Sequence, residues 1–488
     1  MMIDSEQTAT SPAGTTSPAG TSGAAPRPHV DGARWRARLA ELIAKHKVPA
    51  AALGILSGGE IIDVAAGLLS KKTLVEATPD SVFQIGSITK VWTTTLIMQL
   101  IDEGKLALDT PVAEIITDFA VSDPQVSKQV TIRHLLTHTS GIDGDVFTDT
   151  GRGDDCLEKY VAQMDTIAQN HPLGATFSYC NSGFSLAGRI IEVLTGKTWD
   201  VVLRERIIEP LNLLATVTLS EEAILHRAAV GHVGKPGQDP QPAPRWQLPR
   251  SAGPAGVIIA RVHDLLEFAR MHLAGGLAPD GSRILSQEGA EAMTHHEVDL
   301  PDPDVLGDSW GLGWIRFGWD GRRLIGHDGS TVGQGAYLRI LPEQEFAVAL
   351  LTNGGDASGL YHELYEEIFA ELAGVTMPAP FTPPENPPSI DLQPYVGKYS
   401  RAGVDEEFAL RDGRLVLTAT PTGEMARIDP DSHEFQLVPV AEHRFAAKMP
   451  DSDNWTPVLF YSIADGTPYV HFGVRATPRV SDGPQTAR

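Results

Sequence analysis

Gly86-Ser87-Ile88-Thr89-Lys90 leads into a run in which Val91, Trp92, Leu96, Ile97, Leu100 and Ile101 recur at helical spacing until Gly104. The pattern predicts a helix that starts near Lys90 and stops at glycine. Ser87 and Lys90 are three residues apart, so they share one face of its first turn. A hydroxyl is a poor nucleophile until a base takes its proton, and a desolvated lysine can serve as that base. The helix start also offers backbone N–H groups to developing negative charge. The chain holds a single Ser-x-x-Lys, this one. Alone it also reads as an ordinary helix start with a surface lysine.

Two further stretches sharpen the reading. Tyr179-Cys180-Asn181 is the one Tyr-x-Asn of the chain, and it precedes a helical pattern over 184–194 that stops at Gly196. A tyrosine near a lysine can relay a proton. An asparagine amide can bridge a lysine and a substrate amide. Bland roles also fit, a half-buried tyrosine and a helix-capping asparagine. His327-Asp328-Gly329 ends a strand-like run that passes through Ser330 and a glycine-rich turn into another strand. His232 and His471 also begin His-x-Gly, but the first lies in a Gly/Pro-rich loop and the second in a β-rich segment beyond a linker. Gly329 is read as letting substrate approach the backbone closely. Cys180 is read as a packing residue.

The surrounding patterns place these stretches on a fold. A helix is expected from about Asp31 to His46, then a hairpin with strands over 51–56 and 61–66. Three strand-like runs lie between Arg323 and Asn353, and a helix over about 358–372 repeats Leu360, Leu364, Ile368 and Leu372. Two strands early and three late, with helices between, predict one antiparallel sheet covered by helices. Residues 377–388 hold six prolines, which forbid regular structure and give a semi-rigid linker. Beyond it, period-two runs flank Asp412-Gly413 and Asp465-Gly466, strong hairpin signals. Residues 1–29 repeat Thr-Ser-Pro-Ala-Gly-Thr and read as disordered. The expected division is a tail over 1–29, an α+β domain over 30–376, a linker over 377–390 and a small all-β domain over 391–488.

The 488 residues carry 39 Lys+Arg against 62 Asp+Glu, a net charge of −23. That balance argues against a nucleic-acid partner or an anionic membrane surface. No basic start with an apolar run, and no stretch of about 18 apolar residues, is present, so a cytoplasmic location is expected. Two cysteines make no disulfide framework. Leu135 stands where a zinc-protease helix His134-Leu-Leu-Thr-His138 would need glutamate, so no metal is expected, and no dinucleotide or phosphate loop calls for a cofactor.

Taken together, the order Ser87, Tyr179, His327 resembles the serine β-lactamase and penicillin-binding-protein superfamily, in its class C branch with esterases, D-aminopeptidases and acyltransferases. Leu135-Leu-Thr-His-Thr-Ser-Gly141, Ser251-Ala-Gly-Pro-Ala-Gly256 ahead of Asp264-Leu265-Leu266, and Leu350-Leu-Thr-Asn353 add to the likeness, which spans about 32–375. Tyr395-Val-Gly-Lys-Tyr399 is similar to the lipocalin-like tail domains of some members. The resemblance implies Ser87 as acylated nucleophile, Lys90 as its base and Tyr179 as proton relay. It implies Asn181, His327, Gly329 and Ser330 in substrate binding, with the Ser87 and Ser330 N–H groups as oxyanion donors, each worth roughly 3–4 kcal/mol. Where many β-lactamases carry Lys-Thr-Gly, His-Asp-Gly stands here, a departure toward esterases and peptidases. The expected activity is serine hydrolysis of a small ester, amide or peptide. Acyl transfer is the alternative, then β-lactamase or DD-peptidase action, then non-enzymatic binding. Homo-oligomerisation is left open.

Overall fold

The computed structural model describes residues 29–234, 238–423, 425–428, 430–448 and 454–480. The low-complexity tail over 1–29 lies, apart from His29, outside the described residues. The first helix, Gly32–Lys45, begins where the Asp31 carboxylate accepts the N–H groups of Ala33 and Arg34. Its Trp35, Leu39, Leu42 and Ile43 form one buried face.

That face packs on a nine-stranded antiparallel sheet, larger than the five strands expected. The strands Ala50–Ser57 and Phe346–Thr352 pair at its centre. Glu60–Ser70 and the short Val75–Glu76 extend one side. Gln334–Leu341, Arg322–Thr331, Ile315–Trp319, Ser309–Trp310 and Val298–Asp299 extend the other. The last two strands are two residues each, too short to show alternation in sequence.

Both faces of the central strands are covered, so their side chains divide between two cores. Ala50, Ala52 and Leu56 face one cluster, and Ala51, Leu53 and Ile55 face the other. Ala347, Ala349 and Leu351 alternate with Phe346, Val348 and Leu350 in the same way. This two-sided burial is why the strands read as continuous apolar runs. One core lies under the helices Gly32–Lys45 and Ala357–Ile368. The other holds Thr89–Asp102, Asn181–Thr195 and Val262–Leu273. Thr89–Asp102 is buried from Thr89 to Leu100. Its threonine hydroxyls return to its own carbonyls, Thr94 to Lys90 at 2.9 Å and Thr95 to Val91 at 2.9 Å.

Two of the family-like stretches turn out to be structural. Asn353 is fully buried at the end of the sheet, where its amide accepts from Ala50 N–H at 2.6 Å and donates to the Leu69 carbonyl at 3.0 Å. Asp264 is buried and accepts from Ala215 N–H at 2.9 Å and Arg261 Nε at 2.6 Å.

Residues 374–392 form no helix or strand. Eight antiparallel strands follow in sequence order, from Gly397–Arg401 to Arg475–Pro478. The first approaches the last through a single bridge, Tyr399 to Arg479, giving a nearly closed barrel around Tyr399, Phe408, Phe445 and Phe460. The Asp412-Gly413 turn joins Val404–Arg411 to Arg414–Pro421 as expected. The acidic stretch over 299–308 anchors this barrel: Asp302 accepts from Arg444 Nε at 2.9 Å.

One helix-to-sheet ion pair makes stability depend on pH. His263 Nδ1 lies 2.9 Å from Asp63 Oδ2 on the strand Glu60–Ser70, and Asp63 and then Glu267 hold the imidazole up to about 9. A histidine raised this way stabilises the fold fully below its unfolded value near 6.5, and the contribution is lost as pH rises through about 9. The side chain is about a third exposed, so solvent screening limits the effect to about 1 kcal/mol. Thermal unfolding of wild type and His263→Gln between pH 6 and 10 is expected to show a stability gap at pH 6 that closes by pH 10.

Candidate active site

Ser87 stands in a 3-10 turn, Gly86–Ile88, that runs directly into the helix Thr89–Asp102. Lys90, one turn on, is completely buried. Its Nζ lies 3.0 Å from Ser87 Oγ, 2.8 Å from Asn181 Oδ1 and 2.7 Å from the Ala255 carbonyl. Burial, reinforced by the positive charge of Arg475, pushes Lys90 well below the ordinary lysine range. The Ser251–Gly256 stretch supplies the third contact, and its Pro254 carbonyl accepts from Thr93 Oγ1 at 2.7 Å.

Tyr179 is buried beside this group. Burial raises its phenol above the ordinary value, opposed by the Ser87 hydroxyl and by Arg475. Lys90 Nζ lies 4.8 Å from the ring centroid, Arg475 Cζ lies 5.0 Å from it, and His138 stacks on the ring at 4.3 Å. Asn181 opens the helix Asn181–Thr195, but the capping residue is Cys180, whose sulfur accepts from Gly183 N–H at 3.2 Å. Burial pushes the Cys180 thiol up to about 12, so it stays protonated.

His327 lies on the strand Arg322–Thr331 with its ring 6.4 Å from that of Tyr179. Its Nδ1 donates to the Asp328 carbonyl at 2.6 Å, and burial pushes it down to about 3. The imidazole of the third motif is therefore neutral at physiological pH. Asp328 points to the other face of the sheet, where it pairs with the buried Arg339. At Gly329, a Cβ would stand 1.9 Å from the Ile85 carbonyl and 3.1 Å from Ser87 N. The missing side chain thus lets the strand pack on the turn that carries Ser87, a tighter constraint than room for substrate. At Gly86, with φ of +53°, a Cβ would meet Ser330 N at 2.5 Å. The amides of Ser87 and Ser330 accordingly border one narrow gap.

All seven residues proposed from sequence converge here. Several others were not singled out. His138, met as half of a zinc-like pair and inside the Leu135–Gly141 stretch but given no role, accepts from Cys180 N–H at 2.9 Å through Nδ1 and lies flat on Tyr179. Asp145 Oδ1 lies 3.5 Å from Asn181 Nδ2 and is gripped by Arg475, at 2.7 and 3.1 Å, and by Arg401 at 2.5 Å. Both arginines come from the barrel. No local pattern marks a pair separated by 330 residues. Among the described residues, no cluster of three metal-ligating side chains occurs, and no helix is long and apolar enough to cross a membrane.

A family model described as Beta-lactamase matches residues 35–371. Penicillin-binding protein 4 of Amycolatopsis lactamdurans is 47% identical over 375 residues, covering 76% of this chain and 98% of its own length. An unguisins hydrolase of Aspergillus campestris is 26% identical, covering 89% of this chain and 88% of its own. The solved structure of SurE superposes with a TM-score of 0.73 at 26% identity, covering 92% of this chain and 99% of its own. SurE has also been solved with D-Leu, with a TM-score of 0.72.

The contact at Gly329 is directly testable. Gly329→Ala places a methyl against backbone, which cannot swing away, so the strand must back off from Ser87. The expected result is a stability loss of about 1–3 kcal/mol and at least a tenfold fall in labelling of Ser87 by a fluorophosphonate. Calorimetry and intact-protein mass spectrometry read the two effects separately.

Proposed function

The chain belongs to the beta-lactamase family, and from that membership we propose that it is a serine hydrolase acting through an acyl-enzyme at Ser87. The observation that carries this reading is the 3.0 Å approach of Nζ of the fully buried Lys90 to Oγ of the half-buried Ser87. A neutral amine has two N–H bonds and one lone pair. The two shorter contacts, to Asn181 Oδ1 and Ala255 O, take the two N–H groups. The lone pair then faces the Ser87 hydroxyl and accepts its proton as Oγ attacks a carbonyl carbon.

The backbone N–H groups of Ser87 and Ser330 are the donors this reading assigns to the carbonyl oxygen as it becomes an oxyanion. Collapse of the tetrahedral intermediate breaks the ester or amide bond. The leaving oxygen or nitrogen takes a proton relayed from Lys90 through Tyr179, whose raised phenol keeps its own proton at neutral pH. Water then attacks the acyl-enzyme and restores Ser87. Asn181 orients the substrate amide, and neutral His327 with Gly329 lines the far wall. The unit carrying this chemistry is taken as residues 30–376, joined through 377–390 to the barrel whose described strands run from Gly397–Arg401 to Arg475–Pro478.

Peptide-like amides and simple esters are the substrates to offer first. Among the similar proteins, one is named a penicillin-binding protein, one a hydrolase, and one has been solved with D-Leu. With no cation at the third motif to meet a penicillin carboxylate, turnover of penicillins is expected to be slow.

The test is intact-protein mass spectrometry after exposure to a fluorophosphonate, a p-nitrophenyl ester, a D-amino-acid amide and a penicillin. Wild type is expected to gain a covalent adduct, and Ser87→Ala none. Lys90→Met is expected to lower the acylation rate by about 10²–10⁴. Because Lys90 works unprotonated, the rate should be full above its depressed pKa and fall as pH drops through it. A folded wild type that no probe modifies would refute the reading.

A further inference from the structure

The hairpin between Pro468–Phe472 and Arg475–Pro478 presses its tip into the catalytic centre. Phe472 pairs with Arg475, so the loop is the two residues Gly473-Val474, both with positive φ, +55° and +63°. That is the left-handed geometry of a tight hairpin turn. Glycine adopts it freely, while valine, branched at Cβ, adopts it only under constraint. The constraint is visible. The Val474 carbonyl accepts from Tyr179 N–H at 3.0 Å, and its side chain is buried in the same cluster as Phe177, Tyr179 and Trp310. Ala476 N–H donates to Ser178 Oγ at 3.2 Å.

Between these two anchors stands Arg475. Its guanidinium takes both oxygens of Asp145, whose Oδ1 lies beside Asn181 Nδ2, and Asn181 in turn accepts from Lys90. The same guanidinium faces the Tyr179 ring. We propose that Arg475 is a positioning residue for the hydrolytic site, lent by the C-terminal barrel: it fixes Asp145 behind Asn181 and holds a positive charge against the Lys90–Tyr179 pair. The proposal rests on the acyl-enzyme reading of Ser87 and Lys90.

Charge arithmetic gives the sign of its effect. Lys90 is faced by Tyr179 and Phe184, by Cys180 and Asn181 at the start of their helix, by His138 and His327, and by Asp145 with Arg475 from the barrel. His138 and His327 are held neutral by burial, and Cys180 stays a thiol. The charged groups facing Lys90 are then Asp145 and Arg475, and Arg401 lies behind on the same carboxylate. Burial of Lys90 comes first in keeping its amine unprotonated, and Arg475 adds to it while Asp145 opposes.

The experiment is the rate of fluorophosphonate labelling of the full chain from pH 5 to 9, read by intact mass, with thermal unfolding of every variant. Arg475→Ala is expected to move the acid limb of the rate profile up by about one pH unit. Arg475→Lys keeps the charge and should leave the limb in place, with a lower plateau rate. Asp145→Asn removes the opposing charge and should move the limb down. Opposite shifts from the two partners of one ion pair are not produced by loosened docking. Arg475→Ala with a uniform loss at every pH, or with a loss confined to KM for carboxylate-bearing substrates, overturns the proposal and leaves the serine reading standing. A wild type that is never labelled overturns both.

Discussion

A lysine amine with no exposed surface, held by Ser87 Oγ, Asn181 Oδ1 and the Ala255 carbonyl, is the interaction around which the larger unit is arranged. Burying an ammonium costs several kcal/mol unless it is fully paired. None of its three contacts is an anion, and Asp145, the carboxylate that acts on it, is already claimed by two arginines. The state that suits such surroundings is the neutral amine, which is also the state that can take a proton. Each contact comes from a different part of the chain: a tight turn, a helix start and the single-turn helix Gly253–Gly256. The helices Thr89–Asp102 and Asn181–Thr195 must cross closely to bring them together. The unbroken burial of the first helix follows from that requirement.

The sheet solves the second geometric problem, bringing the strand of His327 within backbone contact of the Ser87 turn. Two glycines make the approach, Gly86 on the turn and Gly329 on the strand, each leaving space where a Cβ would strike backbone. The sheet is rigid because its central strands are buried on both faces, each residue assigned to one of two cores by the pleat. A one-residue slip in Phe346–Thr352 would exchange the two sets, putting Phe346 where Ala347 sits. Register and catalytic geometry are therefore held by the same packing.

Much of this is legible in the sequence alone. Ser-x-x-Lys, Tyr-x-Asn and His-x-Gly announce themselves because each set of partners is local, and the long strands and helices carry period-two or helical patterns over many residues. The linker and the Asp412-Gly413 hairpin were equally open to reading, because proline and glycine constrain the backbone wherever they stand. The edge strands Val298–Asp299 and Ser309–Trp310 were not, since two residues show no period. Nor was the capping sulfur of Cys180, for cysteine is seldom chosen for that place. Asp145, Arg401 and Arg475 escaped for a different reason. Their meaning lies in pairing across 256 and 330 residues, and a charged residue in sequence does not say which partner it will meet. The turn at Val474 hid because its sequence argues against the conformation that docking imposes.

The hydrogen bond from Tyr179 to Val474 also sets a timetable. A chain emerging from the ribosome can assemble the sheet and its helices once it has passed Ile368, and Ser87, Lys90, Tyr179 and His327 are by then all present. The carbonyl that receives the Tyr179 amide does not yet exist. More than a hundred residues, the linker and seven barrel strands among them, must be made before it does. Synthesis thus leaves an interval during which the chain carries Ser87 and Lys90 without the barrel turn that closes their surroundings.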